Sequence, residues 1–498
     1  MFIQTLKSVG LVAGLSMAWL LQSGCASASG QARAADGKSV EQARPVEPSV
    51  FAQKVFGALQ AGQNLLQTVL WDPFSRPYST AAAVGSVTLK TGGAMVRRTS
   101  VAISMPAARG GSVPLSAHEP MDLDAWEQEL DRLVGSNRST GRIEFLIDGD
   151  EFFPRLREAI AGASQEVHVR TYIFDNDDVS VEIADLLRAR SEEVDVRVLL
   201  DGVGTLLGTQ VHPESMPADF RPPLSMTRYL EDGSAVNVRT HSNPLLTGDH
   251  VKSTIIDGNL AFVGGMNIGR EYRYEWHDMM MEVTGEVVGQ IERDADMAWA
   301  RAGLLGDLGQ LVQALRPHRK QPTAGGYPIR VLRTLPKDSQ IYRAQLAAIR
   351  RAQSYIFIEN AYFSDDVVLY ELVRARQRGV DVRVIIPSEG NHPMMNLSNG
   401  VAINTMLEHG IRVYQYPGMS HIKAAVFDGW ACVGSANFDA MSLRINREMN
   451  LATSDPATVD ALLLRLFYKD FSLSRELREP APVDWRHSVA EMIADAAL

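Results

Sequence analysis

A chain of 498 residues, 45% of them apolar, is long enough for two or three domains with their own cores and too apolar to be disordered. Its formal net charge of -10 argues against a whole surface that attracts polyanions, although a local basic cleft survives such a total. Substrate class must therefore be read from a site rather than from the sum of charges.

The chain opens with a targeting pattern. Lys7 supplies a positive end, Ser8 to Leu21 is an apolar run too short to span a bilayer comfortably, and small residues follow. This predicts an export signal over residues 1–28, and with it a bacterial periplasmic or cell-envelope location. Two processing sites compete. One precedes Cys25 in LLQSGCAS, which resembles a lipoprotein box and would lipidate that cysteine; the other follows Ala28, where Ala26-Ser27-Ala28 fits a small-x-small pattern. An uncleaved anchor would give the same compartment. The second cysteine, Cys432, lies in the apolar run WACVG and reads as a small buried side chain, so the exported body relies on its core and not on a disulfide. Residues 29–140 are interrupted by Gly, Pro and Ser and receive no chemistry.

After Gly141 the chain is patterned twice. VHVRTYIF, a helix ending in Arg188-Ala189-Arg190 and VDVRVLLDG are followed far downstream by YIFIENAYF, a helix ending in Arg374-Ala375-Arg376 and VDVRVIIPS. Strand-length apolar runs alternating with helical periods predict βαβ units. The expected fold is α/β: two fused domains, 141–305 and 329–475, with largely parallel central sheets related by a pseudo-twofold axis. Residues 306–328 form the expected linker and 476–498 a tail. Because both half-sites lie in one chain, a monomer is expected.

Each unit then carries a His-x-Lys segment, GDHVKSTIIDG from Gly248 and SHIKAAVFDG from Ser420. Residues two apart on a strand point the same way, so His250 and Lys252 share a face, as do His421 and Lys423. Gly264-Gly265-Met266-Asn267 and Gly434-Ser435-Ala436-Asn437 follow, small residues that let a ligand approach and a carboxamide after them. Eleven residues beyond each Asn stands a carboxylate, Asp278 or Glu448. Asp257 and Asp428 precede Gly at predicted hairpins and are read as structural. A single His-x-Lys is an ordinary polar strand face; two in register with matching partners are not. Trp276 is read as packing, and His241, His277 and His392 are assigned nothing.

A phosphodiester suits this inventory. Lys252, Lys423, Asn267 and Asn437 would neutralise charge at phosphorus, one imidazole would attack it, and the other would protonate the leaving oxygen and then act as base. Asp278 and Glu448 would fix the tautomers. A metal is disfavoured beside protonated lysines, so neither metal nor cofactor is expected.

At these residues the chain resembles the phospholipase D superfamily, whose signature HxKx4Dx6GSxN occurs twice. His250, Lys252, Asp257, Gly264, Gly265 and Asn267 match with Gly in place of Ser; His421, Lys423, Asp428, Gly434, Ser435 and Asn437 match with one residue missing after the Asp. The resemblance spans Arg142 to Leu473. Among its members the text is most similar to bacterial cardiolipin synthases, at LIDGDEFFPRLREAI, GGMNIGREY, Trp276 to Asp278, IENAYFSDD and GSANFDAMSLRINREMN. The resemblance implies a phosphatidyltransferase working through a phosphohistidine, with His250 as nucleophile and His421 as acid and base. It also implies a phospholipid substrate such as phosphatidylglycerol, met at a membrane surface. A hydrolase using water stays open, as does an idle lipid-binding protein; export and the acidic total disfavour nucleic acid. The segment Val198 to His250, containing PESMPADFRPPLSM, is the expected wall or lid.

Overall fold

The duplicated sequence builds two runs of strands in the same order. The computed structural model describes residues 67–104, 113–115, 118–208, 215–242, 247–316, 326–482 and 486. The export signal, Cys25 and both processing sites lie outside these residues. The first run is β1 (Arg138–Ile147), β2 (Glu166–Thr171), β3 (Asp195–Asp201), β4 (Asn237–His241), β5 (Ser253–Ile256), β6 (Leu260–Gly264) and β7 (Met279–Thr284). The second is β8 (Tyr327–Leu335), the short β9 (Asp338–Ser339), β10 (Tyr355–Asn360), β11 (Asp381–Pro387), β12 (Arg412–Tyr416), β13 (Lys423–Phe427), β14 (Trp430–Gly434) and β15 (Glu448–Thr453), with β16 (Arg475–Leu477) at the end.

All of these join one sixteen-stranded sheet in the order β16-β12-β11-β10-β13-β14-β15-β8-β1-β7-β6-β5-β2-β3-β4, with β9 on β8. Apart from β9 and β16 the order is a palindrome about the β8/β1 junction. There the two units meet antiparallel, from Arg138 opposite Arg330 to Gly141 opposite Tyr327. The two α/β units are thus fused about a pseudo-twofold relation.

The expected parallel sheet needs correcting. Parallel pairing is confined to β2-β3-β4 and β10-β11-β12, where the repeated Arg-Ala-Arg helices supply the β2–β3 and β10–β11 crossovers and the helices Met226–Glu231 and Pro393–Glu408 lie in the other two. The strands that follow the His-x-Lys segments, β5-β6-β7 and β13-β14-β15, are antiparallel meanders. The physical reason is the Asp-Gly turn. Asp257 and Asp428 take left-handed φ of 51° and 49°, closing tight hairpins that leave no room for a crossover helix.

The expected domain limits also move. Position 141 falls within β1, position 329 within β8, and position 476 within β16, while 306–328 begins with a helix, Gly306–Ala314. The stretch 29–140 contains a well-formed helix, Leu123–Val134, whose N-cap Asp122 accepts from the backbone N–H groups of Asp124 and Ala125. Its buried stripe Trp126, Leu130 and Val134 has helical spacing and enters the core of the second unit, Trp126 meeting Trp430 edge-on at 5.1 Å. Its polar face holds the seam: Glu127 accepts from Arg330 at 2.8 Å, and Asp131 pairs with both Arg330 and Arg138. Two cores belong to single units, and a third mixes them, with Phe145, Val251 and Ile291 beside Ile422, Val433 and Phe467.

Candidate active site

The functional histidines sit where the two units interlock. β5 starts at Ser253 and β13 at Lys423, so His250, Lys252 and His421 lie on the extended lead-ins and not within the strands. Those lead-ins pair with the other unit. The backbone N–H of His250 donates to the carbonyl of Arg447 at 2.9 Å, and that of His421 to the carbonyl of His277 at 2.7 Å. Reciprocal bonds run from Arg447 N–H to Gly248 and from His277 N–H to Met419. Each ammonium curls back onto its own histidine: Lys252 Nζ donates to the His250 carbonyl at 2.8 Å, and Lys423 Nζ to that of His421 at 2.5 Å.

The same interlock exchanges the carboxylates. His250 Nδ1 pairs with Glu448 Oε2 at 3.0 Å, and His421 Nδ1 with Asp278 Oδ2 at 2.6 Å. Each imidazole is therefore oriented by an acid from the opposite unit. With Nδ1 occupied, Nε2 is the nitrogen left for chemistry. The differences between the half-motifs now have a cause. Ser435 Oγ donates to Glu448 Oε2 at 2.5 Å, whereas a Cβ at Gly265 would run into Asp278 Oδ1. A short carboxylate lies over a glycine in one half, and a longer one is met by a hydroxyl in the other.

The two asparagines are not equivalent. Asn267 Oδ1 accepts from the Ile173 N–H at 3.0 Å and Nδ2 donates to the Tyr272 hydroxyl at 2.7 Å, so this carboxamide braces the end of β2. Asn437 is buried with its Oδ1 free of any protein hydrogen bond. Bracing in that half falls to Asn360 Oδ1, which accepts from Tyr362 and Phe438. Asp257 gathers the N–H groups of Ser164, Gln165 and Glu166, and Asp428 those of Met121, Gln353, Ser354 and Tyr355. Both hold turns far from the imidazoles. Gly264 and Gly434 pack so closely on the next strand that a side chain would strike the backbone of Met279 or Met449.

Aromatic walls complete the site; the sequence points to Trp276 as packing, but not to Tyr172 or Tyr272. Tyr172 lies edge-on to His250 at 4.9 Å, and its face receives the Lys252 ammonium at 5.2 Å. Tyr272 and Trp276 flank His421 at 5.6 and 5.5 Å, so Trp276 packs against the imidazole itself. The expected wall segment lies alongside: Pro223 accepts from Asn176 Nδ2, and Ser215 contacts Arg270 and Glu275, on and just after the helix bearing Tyr272. His241 meets Arg301, and His277 has a cluster of its own; His392 is left without a role.

Burial dominates the electrostatics. It lowers Lys252 to about 7 and Lys423 to about 8, and it raises Glu448 to about 8. It also takes His421 down to about 3 and His250 well below the ordinary imidazole range, with the nearby lysines adding to the effect. Both rings are thus held as neutral bases. Among the described residues, two groups of His and acidic side chains could hold a metal ion, and neither includes a residue of the two motifs.

Known proteins resemble this chain in sequence and in fold. The family model described as "Cardiolipin synthase, PLD-like domain" matches residues 156–299 and 346–469. The chain is 29% identical over 363 residues to cardiolipin synthase A of Pseudomonas putida, covering 68% of this chain and 70% of that one. It is 29% identical over 332 residues to cardiolipin synthase B of Salmonella typhi, covering 64% and 78%, and 27% identical over 371 residues to the major cardiolipin synthase of Bacillus subtilis, covering 71% and 74%. In fold it is similar to the crystal structure of a phosphatidylserine synthase from Haemophilus influenzae, with a TM-score of 0.59 at 16% identity over 75% of this chain and 99% of that one.

Proposed function

Because this chain belongs to the cardiolipin synthase, PLD-like domain family, we propose that it transfers a phosphatidyl group from one phospholipid, such as phosphatidylglycerol, to an alcohol acceptor. The observation that carries this reading is the exchanged pairing of His250 with Glu448 and of His421 with Asp278, beside two buried lysines. His250 Nε2 attacks phosphorus, and the P–O bond to the leaving alcohol breaks. His421 gives that oxygen its proton, and the positive charge gained by the attacking ring favours the ionised form of Glu448, which then stabilises it. The phosphodiester's own negative charge opposes burial at His421 and favours the imidazolium needed for this step. The acceptor alcohol then loses its proton to His421 and displaces His250 from phosphorus. Lys252 and Lys423 offset the charge on the phosphoryl oxygens throughout, so no divalent cation is needed at phosphorus.

Enclosure supports transfer over hydrolysis. Lys252, Lys423 and His421 are each at most 5% exposed, and Tyr172, Tyr272 and Trp276 line the approach, so water has little access. We further place the protein at the membrane of the bacterial envelope, through the export signal and Cys25, acting as a monomer. No helix among the described residues is long and apolar enough to cross a bilayer.

Incubation of the purified protein with phosphatidylglycerol tests the reading. Cardiolipin plus glycerol is expected; phosphatidic acid as the sole lipid product would make the enzyme a hydrolase. With a substrate whose leaving group needs no protonation, His421→Ala should accumulate a phosphatidyl adduct on His250, and His250→Ala none. Absence of phosphohistidine in every variant would reject the covalent route.

A further inference from the structure

Beside the His421–Asp278 pair the two units are joined by a buried cluster that the phosphodiester chemistry does not use. His277 Nδ1 pairs with Asp148 Oδ1 at 2.6 Å, leaving Nε2 to face Asp470 Oδ2 at 3.0 Å and Glu359 Oε1 at 3.9 Å. Glu359 and Asp470 are fully buried. One oxygen of each, Glu359 Oε2 and Asp470 Oδ1, has no hydrogen-bond partner. Among the described residues, His277 is the one basic side chain paired with either acid.

We infer that His277, Glu359 and Asp470 bind one divalent transition-metal ion of the zinc or manganese class, which staples the first unit to the second behind the active site. Ligand atoms from the three side chains lie within 4.8 Å of one another, a spread that an ion bonding each at about 2.0–2.2 Å can draw together. A ligating histidine usually hands its other ring N–H to a carboxylate, and Asp148 takes that proton here. Ser420 Oγ donates to Glu359 Oε1 at 2.6 Å and fixes the second ligand. A surface pocket lined by Asp148, Asp150, Glu151, Arg465 and Lys469 lies on the Asp148 side of the cluster.

The pseudo-twofold relation supplies an independent argument. Glu359, opposite Ala424 on β13, occupies the register position of Arg170, opposite Ser253 on β5. His277, bridged to Ser420, occupies that of Arg447, bridged to Asp249. Asp470 lies on the helical run after β15, as Arg301 lies on the helix after β7. In the first of these two equivalent places, Arg170 and Arg301 are met by Asp249 and Asp294. In the second, all three cationic side chains have given way to residue types that ligate metals. Two buried acids share one imidazole, and each keeps a carboxylate oxygen with no hydrogen-bond partner, so the cluster can accept added positive charge. A dication supplies that charge in one step. It lies outside the phosphate site, so the proposal stands or falls separately from the transferase reading.

Metal analysis of the purified full-length protein should find about one equivalent of Zn²⁺ or Mn²⁺ per chain. Chelator-stripped protein should lose a few degrees in thermal midpoint and regain them on titration with that ion alone. Glu359→Gln should abolish the bound equivalent. His277→Arg, which installs the cation used at the equivalent place, should abolish it while making the midpoint indifferent to chelator. His168→Ala, in the second candidate group with Glu166 and Asp195, should keep it. The inference is overturned if wild-type protein neither carries metal nor is stabilised by added Zn²⁺ or Mn²⁺, or if the equivalent is lost in His168→Ala and kept in Glu359→Gln.

Discussion

Lys252 is 1% exposed and pairs through its ammonium with a carbonyl rather than a carboxylate, so its charge is held against the cost of burial. Burial lowers its pKa to about 7, and the sign follows directly. A lysine offsets phosphate charge only while protonated, and that form is lost as pH rises through the lowered value. The ratio kcat/KM, which reports the free enzyme, should therefore fall on the alkaline side of about pH 7, approaching about tenfold per pH unit. Lys252→Arg, slower overall, should move this limb up to about pH 8, where Lys423 loses its proton, because a guanidinium stays charged. A wild-type profile flat to pH 9 would show that Lys252 keeps its proton by other means. Gly265 makes a second case. A serine there must displace Asp278 from His421, and Gly265→Ser should lower turnover by about 10²–10⁴-fold, the usual worth of a general acid-base group. Adding Asp278→Glu rebuilds the Ser435–Glu448 arrangement of the other half and should recover part of the loss. A double variant no better than Gly265→Ser alone would mean that the serine harms something other than the carboxylate.

Elements show where the sequence speaks and where it is silent. The Arg-Ala-Arg helices followed by VDVRV predict parallel pairing, and β2-β3-β4 and β10-β11-β12 show it. The Asp-Gly turns equally predict the hairpins β5–β6 and β13–β14, but a βαβ pattern extended to the whole unit overstates the parallel share. The motif residues are legible because their types and spacing repeat. The exchange of Asp278 and Glu448 is not, since each lies eleven residues after its own Asn and nothing in that spacing names a partner. It takes the two parallel bridges, Asp249 to Arg447 and His277 to Ser420, to carry each acid across. His277 is silent in sequence for the same reason, its partners coming from positions 148, 359 and 470. The helix Leu123–Val134 had a readable cap and stripe in Asp122, Trp126, Leu130 and Val134, hidden by the Gly- and Pro-rich text before it.

At the scale of the molecule, a lipid-processing site that is nearly closed to water must still receive a substrate dissolved in a bilayer. We propose an exposed apolar face as the place of that meeting. Leu304, Leu305, Leu308, Leu311 and Leu315, on and around the helix Gly306–Ala314, stand exposed, Leu304 by 85%, and Trp71 and Phe74 stand exposed nearby, Phe74 by 82%. The two groups are held together: Arg76 donates to the carbonyls of Arg301, Ala302 and Gly303, and Ser79 binds Asp307. Between this patch and the catalytic residues lies a cavity lined by Arg76, Ser79, Gly248 and Arg447, the last two neighbouring the His250 and Glu448 segments. An apolar helix face beside an aromatic pair suits the headgroup boundary, where each leucine removed from water contributes about 1.5–3 kcal/mol. Replacing Leu308 and Leu311 together by Glu should therefore weaken sedimentation of unlipidated protein with phosphatidylglycerol vesicles by at least tenfold. Turnover of that lipid in vesicles should fall in parallel. Turnover of a short-chain, monomeric analogue should be unchanged, because neither leucine touches the site. Equal loss on both substrates would assign the leucines to folding, and no loss on vesicles would remove this face from the path by which lipid arrives.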